Sequence, residues 1–227
     1  MSKVFYFLIL FLILSCSKND ENEIIIDEPI KMVSESNAWY TNGGFSSFTD
    51  DNNIQYTKRL MKYFFYGDTI INNLAYKKLY YKKLDSIFIQ STGNNNIFQS
   101  TNTAISYSHA MREESQKVYY IQRYQETEYF YADFDINLGD ELNYRWNNSN
   151  LIVTEIDSIQ IGEKYITRYK LNNSNYFYEG IGCSYGLFKS WEIGIEGGIY
   201  LNCFRYDDDK IEVYDVFSNH TAYCPEF

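Results

Sequence analysis

The sequence predicts an all-β protein, an antiparallel, hairpin-rich sandwich or meander barrel. Three observations carry this expectation. The chain has no proline between Ile30 and Cys224, its two prolines being Pro29 and Pro225, so nothing in that stretch breaks a hydrogen-bonded ladder. Tyr, Phe, Ile and Thr dominate the segments between Asn, Gly and Asp clusters, which is the composition of strands separated by turns. Hydrophobic residues recur at a period of two and show no long helical periodicity.

The individual elements follow in order. Asp68-Thr69-Ile70 is followed by Asn72-Asn73, then Tyr76 and Tyr80, and Asp157-Ser158-Ile159 is followed by Ile161-Gly162, then Tyr165 and Tyr169. Asn73 and Gly162 stand where a tight turn needs a positive φ, so each stretch reads as a β-hairpin. Further hairpin tips are expected at Glu114-Ser115-Gln116 and at Asp207-Asp208-Asp209. In Tyr129 to Ile136 the alternation is plain. Phe130, Ala132, Phe134 and Ile136 are expected on a buried face, with Tyr129, Tyr131, Asp133 and Asp135 outside. That strand ends at the turn Leu138-Gly139-Asp140. Many short strands at close spacing fit a sandwich or barrel.

Composition narrows the function classes. The 227 residues carry 20 Lys+Arg against 30 Asp+Glu, a net charge of −10, which repels phosphate backbones and argues against a nucleic-acid partner. Aromatic residues make up 19% of the chain, too many for a disordered protein. The length suits one domain with a real core.

The N-terminus reads as an address. Lys3 precedes the apolar run Val4 to Leu14, too short to span a bilayer and suited to a secretory signal. Ile13-Leu14-Ser15-Cys16 then resembles a bacterial lipobox, with Ile13 in place of the usual Leu. The resemblance implies a signal peptide over residues 1–15 and an acylated Cys16 as mature N-terminus, since two or more acyl chains hold a protein stably on a membrane. Residues 16–36 read as a lipidated tether and 37–227 as a single β-rich domain. Ser17 is not the Asp that retains some lipoproteins at the inner membrane. Lys18-Asn19-Asp20-Glu21-Asn22-Glu23 resembles the surface-export signals of Bacteroidota lipoproteins, though acidic, Asn-rich composition also suits a solvated tether. The expected location is the outer membrane, on either face.

Lipidation of Cys16 leaves Cys183, Cys203 and Cys224 for an oxidising compartment. Cys203–Cys224 is the favoured bridge, closing a loop of about twenty residues for roughly 3 kcal/mol in the chain-entropy model. Cys183–Cys203 is the alternative.

A set of motifs in fixed order adds a resemblance. Gly67-Asp68-Thr69 with Tyr76-Lys77-Lys78-Leu79-Tyr80 is followed by Asp133-Phe134 with Leu138-Gly139-Asp140. Asp157-Ser158-Ile159, Glu179-Gly180-Ile181-Gly182 with Gly186-Leu187-Phe188, and Leu201-Asn202-Cys203-Phe204 complete the set. Together, from about Ala38 to Cys224, they are similar to a group of secreted Bacteroidota proteins and lipoproteins. That group more often has Tyr-Asp-Phe where this chain has Tyr131-Ala132-Asp133-Phe134, and Ser where it has Cys183. The resemblance implies location and fold and brings no activity.

Chemistry-bearing residues are sparse. His109 and His220 lie outside any recognised catalytic motif. Asp133 and Asp135 would sit about 7 Å apart on one strand face as paired acids, or simply face solvent. Asp207-Asp208-Asp209 lacks the ligand alternation of a calcium loop. Gly180-Ile181-Gly182 and Gly194 to Gly198 lack the helix and Lys of a phosphate loop. Trp39, Trp146 and Trp191 offer either a carbohydrate platform or core packing. Asp-Ser/Thr-Ile occurs three times and resembles a Bacteroidota O-glycosylation acceptor, with Thr69, Ser86 and Ser158 as the hydroxyls. It also suits hairpin-entry hydrogen bonding.

The functional expectation is a membrane-anchored lipoprotein whose extracytoplasmic domain binds a glycan or protein ligand. No catalytic residue, metal or cofactor is identified. The alternatives are an extracytoplasmic glycan hydrolase and a structural cell-envelope protein.

Overall fold

The computed structural model describes residues 29–50, 53–90, 96–142, 150–161, 164–184, 186–187, 199–206 and 209–211. The protein is all-β. The strands are β1 (Ala38–Asp50), β2 (Asn53–Ile71), β3 (Leu74–Gln90), β4 (Asn96–Glu114), β5 (Lys117–Gln122) and β6 (Glu128–Asp133), then β7 (Val153–Ile161), β8 (Lys164–Leu171), β9 (Tyr176–Tyr178), β10 (Gly182–Cys183), β11 (Ile199–Tyr206) and β12 (Asp209–Ile211). They form two antiparallel sheets, one of order β12-β11-β1-β2-β3-β4-β5-β6 and one of order β10-β9-β8-β7.

The hairpins arise where the turn residues place them. Asn72 and Asn73 take φ of 51° and 64° between β2 and β3, and Ser115 and Gln116 take 50° and 63° between β4 and β5. Two consecutive positive φ values make the turn whose twist matches the flanking strands. The β7–β8 and β11–β12 hairpins also form, with Ile161 opposite Lys164 and Tyr206 opposite Asp209. Their turn residues lie outside the described residues. The two stretches that read alike are not alike in packing, since Tyr76 is 3% exposed and Tyr165 57%.

The sheets pack face to face. Trp39, Phe65, Leu79, Met111 and Tyr120 of the large sheet meet Ile166, Tyr169, Leu171 and Phe177 of the small one in a single buried cluster. Phe134 stacks on Phe177 with centroids 5.2 Å apart, and the Tyr169 hydroxyl donates to the Phe134 carbonyl at 2.9 Å. The buried Tyr169 hydroxyl is thus paired, as a closed core requires.

Two expectations need correction here. Tyr131, expected outside, is fully buried, and Tyr129 stacks on the buried Tyr120. The cause is a bulge: Val118 pairs with Ala132 and Tyr119 with Phe130, leaving Tyr131 as the extra residue and exchanging the faces beyond it. Residues 30–36, expected as tether, belong to the domain. Ile30 is 4% and Met32 0% exposed within the core, and Val33 N–H donates to Glu113 Oε2 at 3.0 Å. Buried Asn37 secures the segment by donating through Nδ2 to the Lys31 and Met32 carbonyls. The signal peptide, lipobox and acidic run lie outside the described residues.

The large sheet outgrows the small one. β2 and β4 have 19 residues each and β3 has 17, against 9, 8, 3 and 2 in β7 to β10. β4 is exposed along its whole first half, Asn96 to Ile105.

Candidate functional site

The outer face of the large sheet, away from the small one, carries the most distinctive chemistry. Trp39 and Phe204 point into the core, so their neighbours in sequence point out. On that outer face the register lines up Arg205, Ala38 and Phe64 in one row, and Cys203, Tyr40 and Lys62 in the next. Ala38 is the short residue between two long ones. A cleft of about 430 Å³ opens there, lined by Glu35, Ala38, Lys62, Phe64 and Arg205 among others.

The rows continue across the sheet. Phe64 pairs with Tyr80 and Tyr80 with Tyr107. Their rings form a ladder, with centroids 6.0 Å apart for the first pair and 5.6 Å for the second. Tyr66, 69% exposed, abuts Tyr80. The adjoining row runs Lys62, Lys82, Ile105. A stripe of half-exposed aromatic rings therefore leads from the cleft beside a row of cations.

Electrostatically the cleft is cationic within an acidic chain. Lys62 Nζ lies 5.5 Å from the Tyr40 ring centroid and 5.6 Å from that of Phe64, while Arg205 Cζ lies 5.8 Å from Tyr40. Among the described residues neither cation enters an ion pair. Glu35 does not neutralise them, because its Oε1 accepts from Gly67 N–H and from Lys77. Arg205 Nε–H is buried with no hydrogen-bond acceptor among the described residues. An oriented donor in that condition is costly unless an acceptor reaches it, and an oxyanion fits both its charge and its geometry.

A larger cleft, of about 740 Å³, lies at the β2–β3 and β4–β5 hairpin ends, between Lys31, Val33, Asp68, Tyr76, Lys77, Arg112 and Glu113. The charges of Lys77 and Arg112 are spent internally. Lys77 pairs with Asp68 and Glu35, and Arg112 pairs with both oxygens of Glu128 and with Glu114 while lying over Tyr119. Burial pushes the Glu113 carboxyl above its usual range, and that carboxylate is committed to the Val33 backbone. This cleft closes the N-terminal segment onto the sheet.

The residues singled out by sequence fall mostly elsewhere. Asp133 ends β6, accepts the Asp135 N–H at 3.0 Å and pairs with Lys117, so it shapes a turn. Burial lowers the His109 pKa to about 4, which keeps the ring neutral, edge-on to Tyr120 and bonded through Nδ1 to Ser108. Trp39 is fully buried and donates through Nε1 to the Ile181 carbonyl, so it is core and no platform. The Asp residues of all three Asp-Ser/Thr-Ile motifs make cross-strand ion pairs: Asp68 with Lys77, Asp85 with Arg59, Asp157 with Arg168. Thr69 and Ser86 are half-buried and Ser158 is exposed. Gly180, at φ of 67°, lies in the turn between β9 and β10 of the small sheet, and Gly182, at 97°, begins β10.

The alternative bridge Cys183–Cys203 does not form. Cys183 is a buried thiol of the main core, with its Sγ donating to the Gly186 carbonyl at 3.1 Å. Cys203 faces the other way, packed with Ala38 and Tyr40 beneath the cationic cleft. Cys16, Cys224, His220, Trp146, Trp191, Asp207, Asp208 and Gly194 to Gly198 lie outside the described residues.

Lys62 and Arg205 were not singled out by sequence. Each sits in an ordinary alternating strand, and only the β11–β1–β2 pairing brings them together. No family model matches the chain, and neither a curated protein nor a solved structure is significantly similar to it.

Proposed function

We propose that this protein is a membrane-anchored lipoprotein of the Bacteroidota type, whose extracytoplasmic β domain binds an acidic glycan. The Lys62–Arg205 cleft and the Phe64–Tyr80–Tyr107 ladder are the binding surface. The observation that supports this best is the pair of cations that, among the described residues, have no carboxylate partner in a chain of net charge −10, one of them with a buried Nε–H that finds no acceptor there. Aromatic rings supply apolar faces for pyranose rings, and the cations supply the counter-charge for uronate or sulfate groups. The anchor is Cys16, Cys203–Cys224 is the structural disulfide, and Thr69, Ser86 and Ser158 are the O-glycosylation acceptors. The reading is of a binding module, because among the described residues lining the cleft Glu35 is the single carboxylate and it is held by Gly67 N–H and Lys77.

Calorimetric titration with sulfated, uronate-containing and neutral oligosaccharides tests the ligand class. Binding is expected for the acidic ligands alone, weakening with salt and falling on the order of tenfold for each of Lys62→Gln and Arg205→Gln. Equal binding of neutral ligands, or no effect of the two substitutions, overturns the assignment. Intact mass with membrane fractionation, wild type against Cys16→Ala, tests the anchor and under non-reducing conditions reads the disulfide.

A further inference from the structure

The exposed first half of β4 carries no charge. β5 pairs with β4 only from His109 to Glu114. Asn96 to Tyr107 is therefore hydrogen-bonded on one side, to β3, and forms an open sheet edge among the described residues. The Arg123 N–H, which donates to the Ser108 carbonyl, marks where that edge begins.

Sheet proteins blunt such edges with Lys, Pro or inward-pointing charge. This one has none of these, and the one irregularity within Asn96 to Tyr107 is a bulge at Gln99, between the pairs Ile87–Ser100 and Phe88–Phe98, outside the Thr101–Ile105 centre. The run Asn-Ile-Phe-Gln-Ser-Thr-Asn-Thr-Ala-Ile-Ser-Tyr contains no Lys, Arg, Asp, Glu, Pro or Gly, although the chain holds 50 charged residues, as 20 basic and 30 acidic. Ile97, Phe98 and Ile105 are 55%, 56% and 61% exposed along it. Thr101, Thr103 and Ile105 give the edge high β propensity.

We propose that this edge is the self-association surface of the protein, β4 pairing antiparallel with β4 of a second copy about a two-fold axis normal to the sheet. Charge selects this occupant. Two copies of a −10 chain repel wherever charged faces meet, and Asn96 to Tyr107 is a long strand edge on which identical surfaces meet without like charges opposed. The symmetry sets outer face against outer face, so Thr101, Thr103 and Ile105 of one copy lie beside the same residues of the other. The size follows from the strand. About ten paired residues at about 3.4 Å each, on a sheet about 10 Å thick, bury on the order of 700 Å² over both copies. That is a weak, concentration-dependent dimer, of the kind that confinement to a membrane surface would populate.

The experiment is thiol cross-linking of the full-length protein carrying Thr103→Cys, with a short bismaleimide. Covalent dimer is expected, and its yield is expected to fall several-fold when Thr101→Lys is added. Ile70→Cys, 76% exposed at the far end of the large sheet, is expected to give none. A maleimide dye confirms that both engineered thiols react, and an unchanged circular dichroism spectrum confirms the fold. Dye-reactive Thr103→Cys that yields no dimer overturns the proposal. So does a yield that Thr101→Lys leaves unchanged, or one that Ile70→Cys equals. The glycan titration is read through Lys62 on β2 and Arg205 on β11, away from β4. Tyr107, which ends both the aromatic ladder and this edge, is altered in neither experiment, so the two tests fail or succeed separately.

Discussion

Replacing Gly180 with alanine tests whether the N-terminal segment is part of the sandwich. Gly180 has φ of +67°, and a Cβ built on it would stand 2.2 Å from the Ile30 carbonyl oxygen and 2.8 Å from Ile30 Cγ2. The first contact is backbone, so no side-chain rotation relieves it. Two costs add. An alanine in the left-handed region costs about 1–2 kcal/mol. Lifting Ile30 off the core forfeits about 2 kcal/mol of apolar burial, and more if Met32 follows. Gly180→Ala is therefore expected to lose roughly 3–4 kcal/mol, a fall in Tm of roughly 6–16 °C for a domain of this size. Gly139→Ala is the matched control, because Gly139 has φ of +91° with nothing within 4 Å of its Cβ. It should lose only about 1–2 kcal/mol. The assay is urea and thermal unfolding of both variants. Limited proteolysis should release the N-terminal segment in Gly180→Ala first. Equal losses in the two variants would refute the reasoning, because the difference between them is the Ile30 contact.

Two further outcomes follow from buried charge. The His109 pKa lies near 4 in the folded protein against about 6.5 unfolded, so between those values the unfolded chain binds the extra proton and stability falls as pH drops. The loss is expected to reach about 2–3 kcal/mol across that window, and His109→Gln should flatten this part of the wild-type slope in pH-dependent denaturation. Asp85 is 7% exposed, accepts two bonds from Arg59 and pairs with Lys83 at 3.1 Å, which holds its pKa below the usual carboxylate range. Asp85→Asn leaves two cations facing a neutral amide and should cost about 2–3 kcal/mol at pH 7 by urea unfolding. The gap from wild type should narrow as pH falls through the depressed carboxylate pKa, and a pH-independent gap would count against the ion pair as its source.

What was legible in the sequence was local. Asn72-Asn73 and Ser115-Gln116 form their turns because the necessary backbone is set by two adjacent residues. The strands on either side then alternate as the hydrophobic pattern demands. Tyr131 was misplaced because one extra residue in β6 exchanges the faces, and neither propensity nor periodicity encodes a bulge whose cause is the partner strand. The boundary after residue 36 missed Ile30 and Met32 because two apolar residues beside Pro29 make no pattern. Their burial is decided by the groove between the sheets. The Lys62–Arg205 cleft was invisible for a stronger reason. Its residues come from strands at opposite ends of the chain, and its defining feature is Ala38, a residue notable only for being smaller than its neighbours.

The placement of β1 has a consequence for how the molecule is made. Its partner on one side, β2, follows at once in the chain, but its partner on the other, β11, begins only at Ile199. Trp39 meets both Phe65 and Phe204. As the polypeptide emerges, the β1–β2–β3–β4 hairpins can assemble early, while the β11 side of β1 waits for nearly the whole chain. Contacts of such long sequence separation are slow to form, because closing the loop costs entropy before any pairing repays it. Folding should therefore be late and cooperative. A chain halted before Ile199 would pair β1 with β2 alone and present its other side as an open edge, which proteases would meet long after the hairpins beside it had closed.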